Sequence, residues 1–267
     1  MVLAAAVLAI ALAQRRFPPI DVKVPTEPVL VAPAFTAAVG QPYVRLLLSI
    51  SALAAVCGLL IEFQFYLAAS AYAGGDAART VLFANVYIGL NLAALALQVF
   101  VAPRLQAVIG LPRSLLVLPA AIVGLAPVAL GLASGTMHAV LRLTEGGLKS
   151  SFHRSSWEQA YLPIGAGCRT EARLLVDGVG TRLAEGIGAA LLYLALPRAT
   201  LDPGSWPGTG GLTYALLLAS VLWLVLTLRA RPYLEQGATD VAHGDPAAAL
   251  ARMPDSCPIV ATLGPRV

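Results

Sequence analysis

Five ionisable side chains recur at helical spacing within one stretch of an otherwise apolar chain. They are His138, Arg142, Glu145, Lys149 and His153, separated by 4, 3, 4 and 4 residues. This period places them on one face of a helix, where Glu145 is within side-chain reach of both Arg142 and Lys149. The face either lines a cavity that receives a polar or anionic substrate, or forms a ladder of ion pairs that holds helices together.

A second polar set lies in the next helical segment. Asp177 and Arg182 are its central members, with Arg173 one turn before Asp177 and Glu185 three residues after Arg182. We predict that Asp177 and Arg182 belong to the same polar lining. Arg173 and Glu185 are then gating or structural partners within helical reach of them.

Two further glutamates are candidates for ion pairs. Glu62, in the run IEFQFY, lies at the depth expected for Arg142, so we predict that these two side chains pair. Exchanging their charges should then restore what either single neutralisation removes. Glu158 lies near the end of the polar helix, where Trp157 and Tyr161 suit a membrane interface.

The elements that must position these side chains are helices that span a membrane. Of the 267 residues, 58% are hydrophobic and 12% are charged, about half the charged fraction of an average chain. The mean hydropathy is +0.78. The apolar residues form blocks near the ~20 residues that cross a bilayer, not the alternating segments of a strand barrel. We predict an all-α integral membrane protein.

Six full spanning segments are predicted over residues 45–228. A partial spanning helix over 1–13 and a proline-rich linker over 14–44 precede them. A poorly ordered tail follows over 229–267, with one short helix near 246–252. The six segments cover residues 46–72, 81–102, 115–133, 137–157, 174–196 and 212–228.

The basic residues orient these segments. If the linker is cytoplasmic and the segments alternate, only Arg79 and Arg198 lie in outside loops. Basic residues are enriched on the cytoplasmic side of membrane proteins. We therefore predict a multi-pass protein of the bacterial inner (cytoplasmic) membrane with a cytoplasmic tail. The inside regions hold Arg15, Arg16, Lys23, Arg45, Arg104, Arg113, Arg154, Arg169, Arg173, Arg229 and Arg231.

Motifs of soluble enzymes are absent from the sequence. It contains no HExxH, no GxSxG and no P-loop, its three cysteines are far apart, and its histidines lack metal-ligand partners at short spacing. We expect no enzymatic activity, no catalytic residue, no metal and no cofactor. The net charge of +4 fits basic cytoplasmic loops and does not indicate nucleic-acid binding.

Three runs carry a family resemblance. The runs are KSSFHRSSWEQAYLP, RTEARLLVDGVGTRLAEGIG and EFQF. They resemble the bacterial and plastid ATP/ADP translocase-type nucleotide transporters, which are relatives of the major facilitator superfamily. The residues that fit the family pattern are Lys149, Glu158, Tyr161 and Pro163, then Asp177, Gly180, Arg182 and Leu183, and finally Glu62 and Phe65.

The resemblance spans about residues 45–228 and implies the C-terminal six-helix half of a facilitator, a fold whose two halves enclose the substrate. It implies transport of nucleotides or another anionic metabolite by alternating access with a partner half, either a first-half chain or a second copy. The family often has lysine where Glu185 stands. Predicted substrate contacts are His138, Arg142, Glu145, Lys149, Asp177 and Arg182.

A non-transporting structural or regulatory membrane subunit is the alternative. The two hypotheses demand different surroundings for the polar face. A transporter needs His138, Arg142 and Glu145 to converge on a space connected to solvent. A structural subunit would keep them paired and dry.

Overall fold

A computed structural model of the chain describes residues 39–72, 75–132, 134–164, 166–195 and 209–243. Within these ranges the regular secondary structure is helical and contains no strand. The predicted partial helix at 1–13, most of the linker at 14–44 and the tail after 243, with its expected short helix near 246–252, lie outside the described residues.

The first half of the described chain contains two long helices, a broken connection and a third helix. α1 (Pro42–Tyr72) is followed by α2 (Asp76–Ala96), which continues through a π-helical segment, π1 (Leu97–Val101), into α3 (Ala102–Ile109). The single turn α4 (Leu111–Ser114) then leads to α5 (Val117–Leu132). Gly75 and Gly110 have φ angles of 98° and 76°, a region that glycine enters without steric cost.

The polar segments form two interrupted helices. The first consists of α6 (Gly135–Leu148), π2 (Lys149–His153) and α7 (Arg154–Gln159). The second consists of α8 (Ala166–Arg173), π3 (Leu174–Gly180) and α9 (Thr181–Ala195). The last helix is α10 (Thr209–His243).

Four helical stretches in the described residues are long and apolar enough to cross a membrane. They are Pro42–Ser70, Asp76–Gln106, Pro112–Leu132 and Gly211–Glu235, and they fit a multi-pass membrane protein. The helices over 135–159 and 166–195 exceed the ~20 residues that a span needs, but their charged residues keep them out of this group. The structure therefore supports four of the six predicted spans by length and apolarity.

α1 is the central helix of the bundle. It packs on α6, α9 and α10, and α5 packs on α6 and α10. Half of the most apolar stretch of α1 is buried inside the bundle, whereas only 11% of the corresponding stretch of α2 is buried. The main packing partner of α2 is α6. Ile61, Ile122, Leu141 and Trp223 meet in the apolar core. α1 therefore supports its neighbours, whereas α2 lies at the edge of the bundle.

α1 begins four residues before the predicted start of its spanning segment at 46, inside the expected linker. Pro42 is its first residue, where the missing N–H costs no helical hydrogen bond. Tyr43 is buried, and its hydroxyl donates to the carbonyl oxygen of Ala160 at 2.6 Å. This long-range contact ties the start of α1 to the end of α7.

α10 continues to His243, well past the predicted end of the bundle at 228. Ala230 and Leu234 are both 1% exposed and belong to the apolar core. Arg231 also pairs with Glu235 one turn later at 3.3 Å. Burial on one side of the helix therefore outweighs the polar composition from which the tail was predicted to begin at 229.

The close approach of π3 to α1 gives a test of the packing. A Cβ added at Gly180 would clash with Leu48 Cδ1. It would also lie 3.0 Å from the carbonyl oxygen of Leu175, a backbone atom that cannot shift without distorting the helix. We expect Gly180→Ala to lower stability by about 1–3 kcal/mol, seen as a lower Tm in detergent micelles. Gly124→Ala is the matched control, because nothing lies within 4 Å of its Cβ, and it should raise stability by up to about 1 kcal/mol. Equal effects of the two substitutions would contradict the packing described.

Candidate functional site

A cavity of about 1110 Å³ opens between four helical stretches: α1, α2, the α6–π2–α7 helix and the π3–α9 helix. Its volume slightly exceeds the roughly 300–1,000 Å³ of small-molecule sites. Among the described residues, α5 and α10 contribute nothing to its lining. The charged residues that line it are Glu62, Arg142, Glu145, Lys149, Arg154, Asp177, Arg182 and Glu185.

The inner wall of the cavity is built around the carboxylate of Glu145. Its side chain is 3% exposed and lies 2.6 Å from Arg142 Nη1 and 3.3 Å from Lys149 Nζ. Both partners are on its own helix, at the separations of three and four residues expected from sequence. A buried charge is costly unless it is paired and hydrogen-bonded, so the two cations are what make this position tolerable.

Gly58 brings α1 close to this ion pair. A Cβ at this position would lie 3.0 Å from Lys149 Nζ and 3.1 Å from Glu145 Oε1, tighter than ordinary van der Waals contact. The missing side chain therefore leaves room for two charged groups against the backbone of the central helix.

Glu62 extends the network toward α2. Its Oε1 lies 3.5 Å from Arg142 Nη2, the partner expected from sequence, and accepts a hydrogen bond from the Tyr66 hydroxyl at 2.8 Å. The Tyr66 hydroxyl is also 3.1 Å from that of Tyr87. Glu62 is 36% exposed whereas Arg142 is 14% exposed. The network thus runs from the dry wall to the wetter edge of the cavity.

Asp177 joins the two polar helices at the other end of the site. One of its carboxylate oxygens accepts from Trp157 Nε1 and from the Tyr161 hydroxyl, each at 2.8 Å. Arg173 lies 3.7 Å from the other oxygen and 2.5 Å from Glu158. Burial first, and then the Asp177 charge, raise the pKa of Tyr161, so the phenol stays protonated and remains a donor. Trp157 and Tyr161, which the sequence suggested for a membrane interface, therefore hold the carboxylate of Asp177 in position.

Two π-helical segments border the cavity. π2 supplies Lys149, Ser150 and His153 to the lining, and π3 supplies Asp177. Short π-helical segments inside α-helices are frequent at functional sites. The Ser150 hydroxyl donates to the carbonyl oxygen of Gly146 at 2.6 Å, which compensates part of the altered backbone bonding.

The rim of the cavity on α9 holds a more exposed pair. Arg182 Nη1 lies 2.9 Å from Glu185 Oε2, with the two side chains 80% and 39% exposed. Exposed pairs of this kind contribute about 0–1 kcal/mol. Arg182 is therefore able to exchange this partner for a ligand at low cost.

Five of the six predicted substrate contacts line the cavity, and His138 does not. His138 is 2% exposed near the start of α6, with Nδ1 2.9 Å from the carbonyl oxygen of Ser134. Ser134 also accepts from the backbone N–H of Met137, at 3.3 Å, as the cap of this helix. His138 is thus enclosed at the capped end of α6, more than one turn from the cavity wall.

Of the four predicted gating or structural partners, Glu62 and Glu185 line the cavity. Arg173 and Glu158 pair beside it. Sequence reasoning missed Arg154, Tyr87 and Tyr66. Tyr66 carried a signal, since it stands four residues after Glu62 and so falls on the same helix face. Arg154 follows His153, the last residue of the predicted polar face, by one residue. An ideal α-helical period therefore places it off that face, although it lines the cavity.

A metal centre is not found in the described part of the chain, where no three His, Cys, Asp or Glu side chains are grouped to hold an ion. The side chains that line the cavity offer groups for ion pairing and hydrogen bonding. Their donors are guanidinium, ammonium, indole and phenol groups.

The two ion pairs of Arg142 should respond differently to neutralisation. Arg142→Gln removes the closest cation from Glu145, and breaking a buried pair costs about 3–5 kcal/mol. Glu62→Gln removes the longer and more exposed pair, for which we expect less than about 1 kcal/mol. Tm in detergent micelles measures both. The exchange of Glu62 and Arg142 charges should fail to restore stability, because it sets a glutamate beside Glu145. Full restoration would show that Glu62 is the dominant partner.

Comparison of the chain with protein-family models, with curated proteins and with solved structures gives no match.

Proposed function

We propose that this protein is a transporter-like half-facilitator that moves nucleotides or another anionic metabolite by alternating access with a partner half. The observation that carries the proposal is the charged cavity. It opens inside a bundle in which four of the described helical stretches are apolar enough to cross a membrane. The fold proposed is the six-helix half of a major-facilitator-like bundle, in which α6–α7 and α8–α9 also cross the membrane. Orientation in a bacterial inner membrane, with the C-terminal end cytoplasmic, belongs to the same proposal.

The cost of placing charges in a membrane supports a solvated function for the cavity. Each charged side chain near the bilayer centre costs at least about 2.5–3.5 kcal/mol on insertion scales. Lys149 is 47% exposed and Asp177 34% exposed, although both are in helices that contact the apolar core. Such groups are retained where they face water or a ligand.

The distribution of pairing favours an anion as the ligand. Glu145 is shared by two cations, and Glu185 is paired with Arg182. Glu62 and Asp177 each accept a hydrogen bond from a tyrosine and each form an ion pair with an arginine. Arg154 is exposed on the cavity and has no ion pair within the described ranges. Arg154 is therefore the cavity cation that is not held in an ion pair among the described residues, and Lys149 beside it is only partly neutralised.

The alternative function, a non-transporting structural or regulatory membrane subunit, draws on the dry part of the same network. Arg142 and Glu145 are 14% and 3% exposed and are paired with each other, as a structural ladder requires. His138 is buried away from the cavity. These residues match the structural hypothesis, whereas Lys149, Arg154, Asp177 and Arg182 match the transport hypothesis.

Uptake into proteoliposomes tests the proposal. The full chain is reconstituted and supplied with labelled ATP and ADP, and then with labelled dicarboxylates as non-nucleotide anions. We expect saturable uptake of at least one anion. Absence of saturable uptake for every anion would leave the structural subunit as the better hypothesis, and uptake of dicarboxylates alone would remove nucleotides as substrates.

Arg154→Gln tests the role of the cation that has no ion pair among the described residues. A charge-assisted hydrogen bond contributes about 1.5–3 kcal/mol, so the substitution should raise KM roughly tenfold or more for the anion transported. Arg79→Gln is the control, because Arg79 pairs with exposed Asp76 outside the cavity. An unchanged KM in Arg154→Gln, with Arg79→Gln also unchanged, would exclude Arg154 from substrate contact.

A further inference from the structure

The described helices leave the cavity open on one side. α1 and α6 form its back wall, α2 packs on α6 at one edge, and α9 packs on α1 at the other. Among the described residues, α2 has no buried position. In a bilayer this open side would expose Lys149, Arg154 and Arg182 to lipid, which charged groups avoid. A further protein surface over this side would remove that cost.

Each edge helix carries an apolar ridge at the spacing used in helix–helix contacts. On α2 and π1 the ridge consists of Ile88, Leu92, Leu95 and Val99, each 55–61% exposed, with separations of 4, 3 and 4 residues. This spacing is that of the a and d positions of a coiled coil, whose side chains pack into a facing helix. We call it the α2 ridge.

α9 carries the matching feature. Its ridge consists of Leu183, Ile187, Leu191 and Leu194, each 58–77% exposed, with separations of 4, 4 and 3 residues. We call it the α9 ridge. Two ridges of similar period and exposure thus flank the same opening.

The ridges lie directly beside the polar lining. Ile88 and Leu92 each follow a lining residue of α2, and Leu183 and Ile187 each follow a lining residue of α9. One residue corresponds to about 100° around a helix of 3.6 residues per turn. On both helices, therefore, the apolar ridge begins where the cavity surface ends.

We propose that a second copy of this chain covers the cavity, with the α2 ridge of each copy packed against the α9 ridge of the other about a two-fold axis. Such an interface is self-complementary, since the contact made by one ridge is repeated by its partner. The lining also favours a second copy, because its four carboxylates and four cations balance in each chain and two such faces do not repel. The dimer identifies the partner half of the proposed transporter and rests on that function, in which α9 crosses the membrane.

The oligomeric state of the reconstituted full chain tests this pairing. Single-molecule photobleaching in bilayers at low protein density should count two copies per particle. Alanine at Ile88 and Leu183 together should raise the dissociation constant of the dimer at least about tenfold, because van der Waals packing drives association between membrane helices. The matched control is alanine at Leu218 and Leu222 of α10, which are 72% and 51% exposed but lie away from the cavity, and it should change the constant less than about twofold.

Disulfide cross-linking tests which helices meet. Gly89 faces Leu143 on α6, next to the Arg142–Glu62 pair, so Ile88 lies near the depth of Glu62. Gly188 of α9 faces Leu59 of α1, so Leu191, three residues further along α9, lies near the same depth. Ile88→Cys combined with Leu191→Cys should give a cross-linked dimer on mild oxidation. Either single variant, and the parent chain with its three cysteines, should not.

Three results would overturn the dimer: one copy per particle in the bilayer, equal weakening by the α10 control, or efficient cross-linking by Ile88→Cys alone. The copy number is measured without substrate. A monomer with saturable anion uptake would reject the dimer but support the proposed transport. A dimer without uptake of any anion would support the dimer but reject the proposed transport.

Discussion

The buried carboxylate of Glu145 is the constraint on which the rest of the cavity depends. With 3% of its side chain exposed, it requires compensation from within the protein. Arg142 and Lys149 provide it from the same helix, and Gly58 lets the central helix approach the pair. The cation of Arg142 then reaches a second carboxylate, Glu62, on α1. One desolvated charge thereby fixes the relative positions of α1, α6 and the edge of α2.

The polar helices divide the site into a dry part and a wet part. Toward the start of α6 the ionisable groups are enclosed, as His138 and Glu145 illustrate. Beyond Leu148 the π-helical segment begins, and the side chains of Lys149 and Arg154 reach the open space. Asp177 closes this region by accepting from Trp157 and Tyr161. A transporter needs the wet part to bind and the dry part to hold helices together, so the two earlier interpretations of the polar face describe different portions of it.

Apolar surface has two roles in this fold. The core residues of α1, α5 and α10 pack inside the bundle, whereas large side chains of α2 and α9 point outward. In a membrane protein outward apolar side chains need no explanation where lipid covers them, since lipid tails are as apolar as leucine. Their importance here comes from position, because the α2 and α9 ridges border a polar opening that lipid does not satisfy.

The sequence by itself determined the helical class, four of the six predicted spans and the local ion pairs Arg142–Glu145, Glu145–Lys149 and Arg182–Glu185. These depend only on hydropathy and on the period of a helix, which are local properties. The pairing of Glu62 with Arg142 was also anticipated, because membrane depth restricts which charges meet. The tertiary structure alone decided that His138 is enclosed, that Arg154 faces the cavity and that Trp157 holds Asp177. These outcomes depend on how π2 and π3 change the helical register and on which helices pack together, and neither is encoded in an ideal period of 3.6 residues.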